Sequence, residues 1–180
     1  MSRIKKPYEI SVRVNNLTQL FHSLDPSPFR DRDLTPQAED FITGWAEAAP
    51  KDTPLQITVS VPQSEAESEL ALQTPHAIQK FFEYRARQKG HDLAELFREG
   101  RRSALVGVPL LIVCILLSEY IQSRLEQPAL IGLVGQSLLI LGWVANWRPI
   151  QIFLYDWWPI RRKRKFYERL ATAEVRIDSA

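Results

Sequence analysis

The sequence predicts an α+β protein: a small cytoplasmic β-α-β head, a transmembrane α-helical hairpin and an interfacial C-terminal helix. Three observations lead there. Two long uncharged apolar runs lie late in the chain, at 103–118 (SALVGVPLLIVCILLS) and 127–147 (QPALIGLVGQSLLILGWVANW). Two alternating, β-branched segments, YEISVRV at 8–14 and LQITVSV at 55–61, flank a helical pattern. Charge is divided unevenly: residues 1–100 hold 12 Lys/Arg against 15 Asp/Glu, and residues 101–180 hold 11 against 6. With 45% hydrophobic and 24% charged residues over 180 positions, the chain has the composition of a folded protein, not a disordered one.

The head occupies 1–63. After the strand at 8–14, Leu17, Leu20 and Phe21 suggest one short helical turn, and Asp25–Pro26–Ser27–Pro28 is turn chemistry. Thr35–Pro36 starts a helix, with Thr as N-cap and Pro at the first helical position. Ala38, Phe41, Ile42, Trp45 and Ala49 share one of its faces, and Pro50 ends it. The strand at 55–61 closes the β-α-β unit. Segment 64–102 is helical: a short acidic helix over 64–73, then a second start at Thr74–Pro75. Ile78, Phe81, Phe82, Ala86, Leu93, Leu96 and Phe97 broadly share a face there. Gly90 marks a plausible kink, and the helix leads towards the membrane.

The hairpin occupies 103–147, with spans at about 103–121 and 127–147 joined by a tight loop. Region 148–180 carries an apolar aromatic stretch too short to span. It reads as a helix in the interface at 149–158 or as one buried under the head. A basic helix over about 160–171 follows, then a strand at 173–178 that can pair with either earlier strand.

Flanking charges orient the hairpin. Arg98, Arg101 and Arg102 precede the first run, and Arg148 and the run 161–165 follow the second. The loop holds only Arg124, offset by Glu126. Lys and Arg concentrate on the cytoplasmic side, so both termini are expected in the cytoplasm of a multi-pass membrane protein. The N-terminus has basic residues without an apolar run behind them, which is not a secretory signal. Trp143, Trp147, Tyr155, Trp157 and Trp158 are expected as interface anchors, because amphipathic aromatics favour the headgroup zone. Arg161, Arg162, Lys163, Arg164 and Lys165 are expected to meet anionic headgroups rather than nucleic acid.

Recognisable chemistry is missing. The chain has no Gly-rich phosphate loop, HExxH, CxxC or GxSxG. One Cys excludes a disulfide scaffold, and three scattered His argue against a metal site. No catalytic residue, cofactor or metal is expected. Ala129, Gly132 and Gln136 are the expected helix-packing residues: an amide in hydrocarbon seeks a partner, either on the first span or on another protomer. Glu119 reads as an interfacial acid beside Arg124, with an ion path as the alternative, and Cys114 as a small packing residue. The loop with Asp25, Phe29, Arg30, Asp31, Arg32 and Asp33 reads either as a partner-docking surface or as a self-satisfied loop with local Arg–Asp pairs.

Two stretches, LDPSPFRDRDLTPQAEDFITGWA and NWRPIQIFLYDWWPIRRKRKFYERLA, resemble a family of small uncharacterised bacterial two-transmembrane-helix proteins. That family carries a DPSPF…RDL…AE cytoplasmic segment and a tail like WRPIQIFLYDWWPIRR. The resemblance spans nearly the whole chain and implies the bacterial inner membrane. It implies no catalytic residues.

The functional expectation is therefore a non-enzymatic, membrane-anchored adaptor, scaffold or accessory subunit of a larger membrane complex. The alternative is a small oligomeric channel or transporter component. A head sheet this small is marginal alone, which leads to the expectation of a homo-oligomer or a larger assembly.

Overall fold

The computed structural model describes residues 6–50, 53–124 and 128–179. The chain is α+β and mostly helical, with one three-stranded parallel sheet. In order come β1 (Tyr8–Arg13), α1 (Pro36–Ala48), β2 (Leu55–Val61), α2 (Gln63–Ala66), α3 (Glu69–Arg124), α4 (Pro128–Gln151), α5 (Trp157–Ala171) and β3 (Glu174–Ser179). A π turn, Ile152–Asp156, joins α4 to α5. Contacts divide the chain into two compact units: Met1–Gln88 with Lys163–Ala180, and Lys89–Arg162.

In the sheet unit β2 is central and parallel to both neighbours. Ile57 stands between Ile10 and Val175, and Val59 between Val12 and Ile177. With a side-chain period of two, these residues share one face, which joins the core with Ala38, Ile42 and Ala46 of α1, Ile78, Phe81 and Phe82 of α3, and Leu170 of α5. The opposite face is polar, with rows Glu9–Gln56–Glu174, Ser11–Thr58–Arg176 and Arg13–Ser60–Asp178. Thr58, buried there, donates through Oγ1 to Glu9 at 2.8 Å.

The expected head ends at residue 63, but the sheet unit also takes in the start of α3 and the C-terminus. One helix cannot cover a face three strands wide, so α3 and α5 complete the layer. Gln79 Nε2 donates to the Ala173 carbonyl at 2.9 Å, and Arg169 Nη2 donates to the Pro50 and Thr53 carbonyls at 2.7 and 2.5 Å. The last strand pairs with β2, one of the two partners expected.

Four local expectations differ from the structure. On α1, Ala46 is buried while Phe41 and Trp45 are exposed as a ring pair 6.1 Å apart. Small residues at 38 and 46 let the helix lie close to the sheet, and the stripe that fits is narrower than the sequence pattern. Thr74 does not start a helix. Its Oγ1 bonds back to the Leu70 carbonyl at 2.8 Å, and α3 runs through Thr74, Pro75 and Gly90. The first apolar run continues the preceding helix, as its sequence allows, but ends at Arg124 instead of residue 121. Segment 149–158 is not a separate helix: the chain stays helical from Pro128 to Ala171. Pro149 removes one helical donor, and the wider π turn just after it accommodates the change without a break. The loop residues 125–127 and the side chains of Arg124 and Ala129 lie outside the described residues.

Ile57 is fully buried on β2, the central strand, which is paired on both sides. Ile57→Ala is expected to lower stability by about 2–5 kcal/mol, against less than about 0.5 for exposed Arg176→Ala, in denaturant titrations of detergent-purified protein.

Candidate functional site

In the unit Lys89–Arg162, α3 and α4 pack antiparallel along a seam of small residues. A Cβ at Gly142 would stand 2.6 Å from Leu111 Cδ1 and 3.4 Å from Cys114 Cβ. At Gly135 it would stand 2.8 Å from Ser118 Oγ, and at Gly107 2.9 Å from the Ala145 carbonyl oxygen and Asn146 Oδ1. Gly107 and Cys114, Leu111 and Ser118, and Gly135 and Gly142 each recur after seven residues, the repeat that keeps one helix face on its neighbour. Glycine lets the backbones approach where any side chain forces them apart.

Buried polar groups line the contact between the two helices. Asn146, 6% exposed, donates from Nδ2 to the Gly107 carbonyl across the seam at 2.8 Å and to the Gly142 carbonyl at 2.9 Å. Gln122 Nε2 donates to buried Ser118 Oγ at 3.0 Å. Pro149 has no N–H, so the Ala145 carbonyl lacks its helical donor, and that oxygen faces the Gly107 backbone. The apolar atoms point outward: Leu105, Val106, Leu116, Leu133, Ile140, Leu141 and Val144 are all more than half exposed.

A collar closes one end of the pair. Arg148 donates to Glu99 of α3 and to Asp156 of the π turn, both at 2.9 Å. Phe97 stacks on Phe153 at 6.1 Å and meets Trp157 at 6.5 Å. A Cβ on Gly100 would sit 2.8 Å from Ile152, so glycine is what admits the π turn to α3. The Arg161 guanidinium lies 5.5 Å from the Trp157 ring centroid, and Trp157 Nε1 donates to the Phe153 carbonyl at 3.0 Å.

Of the aromatic residues picked out from sequence, Trp143, Trp147, Tyr155 and Trp158 are exposed, while Trp157 is half-buried in the collar. Arg161, Arg162, Lys163, Arg164 and Lys165 are exposed on α5, Arg164 being paired with Glu168 at 2.8 Å. Of the two partners expected for the packing residues, the first span is not the one they meet: Gln136 is exposed, and a Cβ on Gly132 meets nothing within 4 Å. Gly135, Gly142 and Asn146 hold the seam instead. A seven-residue glycine spacing signals that seam, but the extra polarity of Gln136 drew attention to the adjacent face. Cys114 packs in the seam, as read, and Glu119 is exposed. Glu99 and Gly100 carried no sequence signal, and Phe97 was legible only as part of an apolar helix face, because their partners lie about 50 residues away.

The Asp25–Asp33 loop belongs to the sheet unit. A bridge between Phe21 and Leu34 closes its base, and Phe29 packs on Phe21 at 4.7 Å. The Asp25 carboxylate accepts the Ser27 and Asp33 backbone N–H groups, both at 2.9 Å. Those bonds, the Asp33 one foremost, lower its pKa to about 2. The charged residues of the loop take different partners: Arg32 Nε donates to the Ser27 carbonyl at 3.3 Å, Asp31 pairs with Lys80 of α3, and Arg30 is exposed. Nearby, burial disfavours the Arg85 cation, yet its hydrogen bond and charge pairing with Glu39 outweigh that and raise its pKa.

Among the described residues no three His, Cys, Asp or Glu side chains stand close enough to hold a metal. No protein-family model, curated protein or solved structure matches the chain.

Asn146→Leu removes a buried interhelical hydrogen bond and is expected to cost about 1–2 kcal/mol in detergent unfolding, while Gly142→Val, which forces the helices apart, abolishes the compact hairpin. The depressed Asp25 carboxyl stabilises the loop fully above the ordinary carboxylate value, and that contribution is lost as pH falls through about 2. Carboxyl NMR titration is expected to show loop amide shifts over this acid range that are absent in Asp25→Asn.

Proposed function

We propose that the chain is an integral membrane protein in which α3 and α4 cross the bilayer as a hairpin. Both termini and the sheet unit then lie in the cytoplasm. The observation that carries this reading is the inverted packing of the pair: glycines with buried Ser118 and Asn146 inside, large aliphatic side chains outside. In water such a surface associates or aggregates; in hydrocarbon it is the stable arrangement, because polar groups must be satisfied within the protein. Among the described residues, α3 is long and apolar enough to cross a membrane, and only 17% of its most apolar window is buried. From Pro128 to Trp147, α4 carries no charge over about 30 Å of helix.

Orientation rests on the basic residues at one end, Arg98, Arg101, Arg102, Arg148 and the run on α5. The exposed Trp143, Trp147, Tyr155 and Trp158 suit a headgroup boundary there. Each basic residue near an anionic leaflet contributes about 1 kcal/mol. The resemblance to the two-helix bacterial family supports the inner membrane as the site.

Within that setting the protein acts as a membrane-anchored adaptor, scaffold or accessory subunit. Its residues are spent on anchoring, on a collar and on a sheet whose polar face is exposed.

Topology tests the membrane reading. In a Cys114→Ser background, Ser123→Cys is expected to react with an impermeant maleimide on intact cells, and Asp178→Cys only after permeabilisation. Release of the chain from membranes by alkaline carbonate overturns it. Gentle extraction with mass measurement tests the adaptor role: a stoichiometric partner supports it, and a partner-free oligomer that conducts ions in liposomes overturns it.

A further inference from the structure

The described parts of the two apolar runs and their ends contain three side-chain amides. Gln122 and Asn146 are bonded within the pair; Gln136 is exposed and has no partner among the described residues. It follows the seam residue Gly135 by one position, so it projects roughly 100° around α4 from the contact with α3. Gly132, one turn earlier on the same stripe, is open to any approaching helix, since a Cβ there meets nothing within 4 Å. Ile140 and Trp143 continue that stripe and are exposed.

We infer that this stripe of α4 docks a second copy of the chain, through reciprocal hydrogen bonds between the two Gln136 amides. The inference rests on the membrane reading. An unpaired amide in hydrocarbon costs several kcal/mol by solvent transfer, so it needs a partner with both a donor and an acceptor. A second copy supplies that partner by symmetry. Flanking charge orients every copy the same way, so a two-fold axis along the membrane normal puts both amides at one depth, where each N–H donates to the other carbonyl. Gly132 lets the two α4 backbones come close enough for those bonds. An unrelated helix would need its own polar group at that depth.

The test is the dimer fraction of the full chain in lipid vesicles, read by Förster transfer across a series of protein-to-lipid ratios. The wild-type protein is expected to dimerise, Gln136→Leu to weaken dimerisation about tenfold, and Gln136→Asn to retain most of it. In a Cys114→Ser background, Ile140→Cys is expected to cross-link to itself and Ile112→Cys on α3 is not. A wild-type monomer at every ratio, an unchanged Gln136→Leu dimer, or cross-linking of Ile140→Cys to a different protein in native membranes overturns the inference. Carbonate extraction of each variant separates the two readings: a chain that stays in the membrane as a monomer overturns only the dimer, and a chain that is released overturns the membrane reading beneath it.

Discussion

Leu55–Val61 hydrogen-bonds on both edges to strands that run parallel to it, and parallel neighbours cannot be joined by tight turns. Each needs a crossover connection. The first is short: the Asp25–Asp33 loop and α1 carry the chain from β1 to β2. The second is everything from Gln63 to Ala173, so the helical pair is inserted into a β–α–β crossover. The sheet is complete only when the last few residues of the chain add β3. The helices that enter and leave the apolar region also supply Phe81, Phe82 and Leu170 to the sheet core.

The same economy governs the helical pair. Its helices are unlike an amphipathic bundle in water, where the seam is apolar and the outside polar. Here glycine and serine line the contact, Asn146 bonds across it, and leucine, isoleucine and valine face out. Pro149 would ordinarily end or kink a helix. The π turn after it packs against Gly100 of α3 and is tied by the Arg148 contacts to Glu99 and Asp156. The tail WRPIQIFLYDWW reads in one dimension as an interfacial helix or one buried under the head, and in three forms a collar. The loop DPSPFRDRD follows the same logic on the sheet unit, where two backbone N–H groups hold one carboxylate.

Periodicity and turn chemistry made much of this legible in the sequence. Strand positions, the Thr35 cap, the apolar runs, the continuation of the helix into the first run and the final strand were all readable, because each rests on neighbours within a few residues. Thr74–Pro75 misled because a hydroxyl that bonds back to Leu70 looks, in sequence, like one that caps forward. Gln136 and Gly132 misled as seam residues because polarity marks the need for a partner but not the helix face on which the partner lies.

By itself the sequence determined the element types, the segregation of charge and the apolar surface, since local periodicity and composition suffice for these. Only the tertiary structure decided that β3 joins β2, that Gly107, Gly135, Gly142 and Asn146 make the seam, and that Arg148 binds Glu99 and Asp156. Those are pairings between groups mostly far apart in the chain, chosen by which backbones approach closely enough to exclude a side chain.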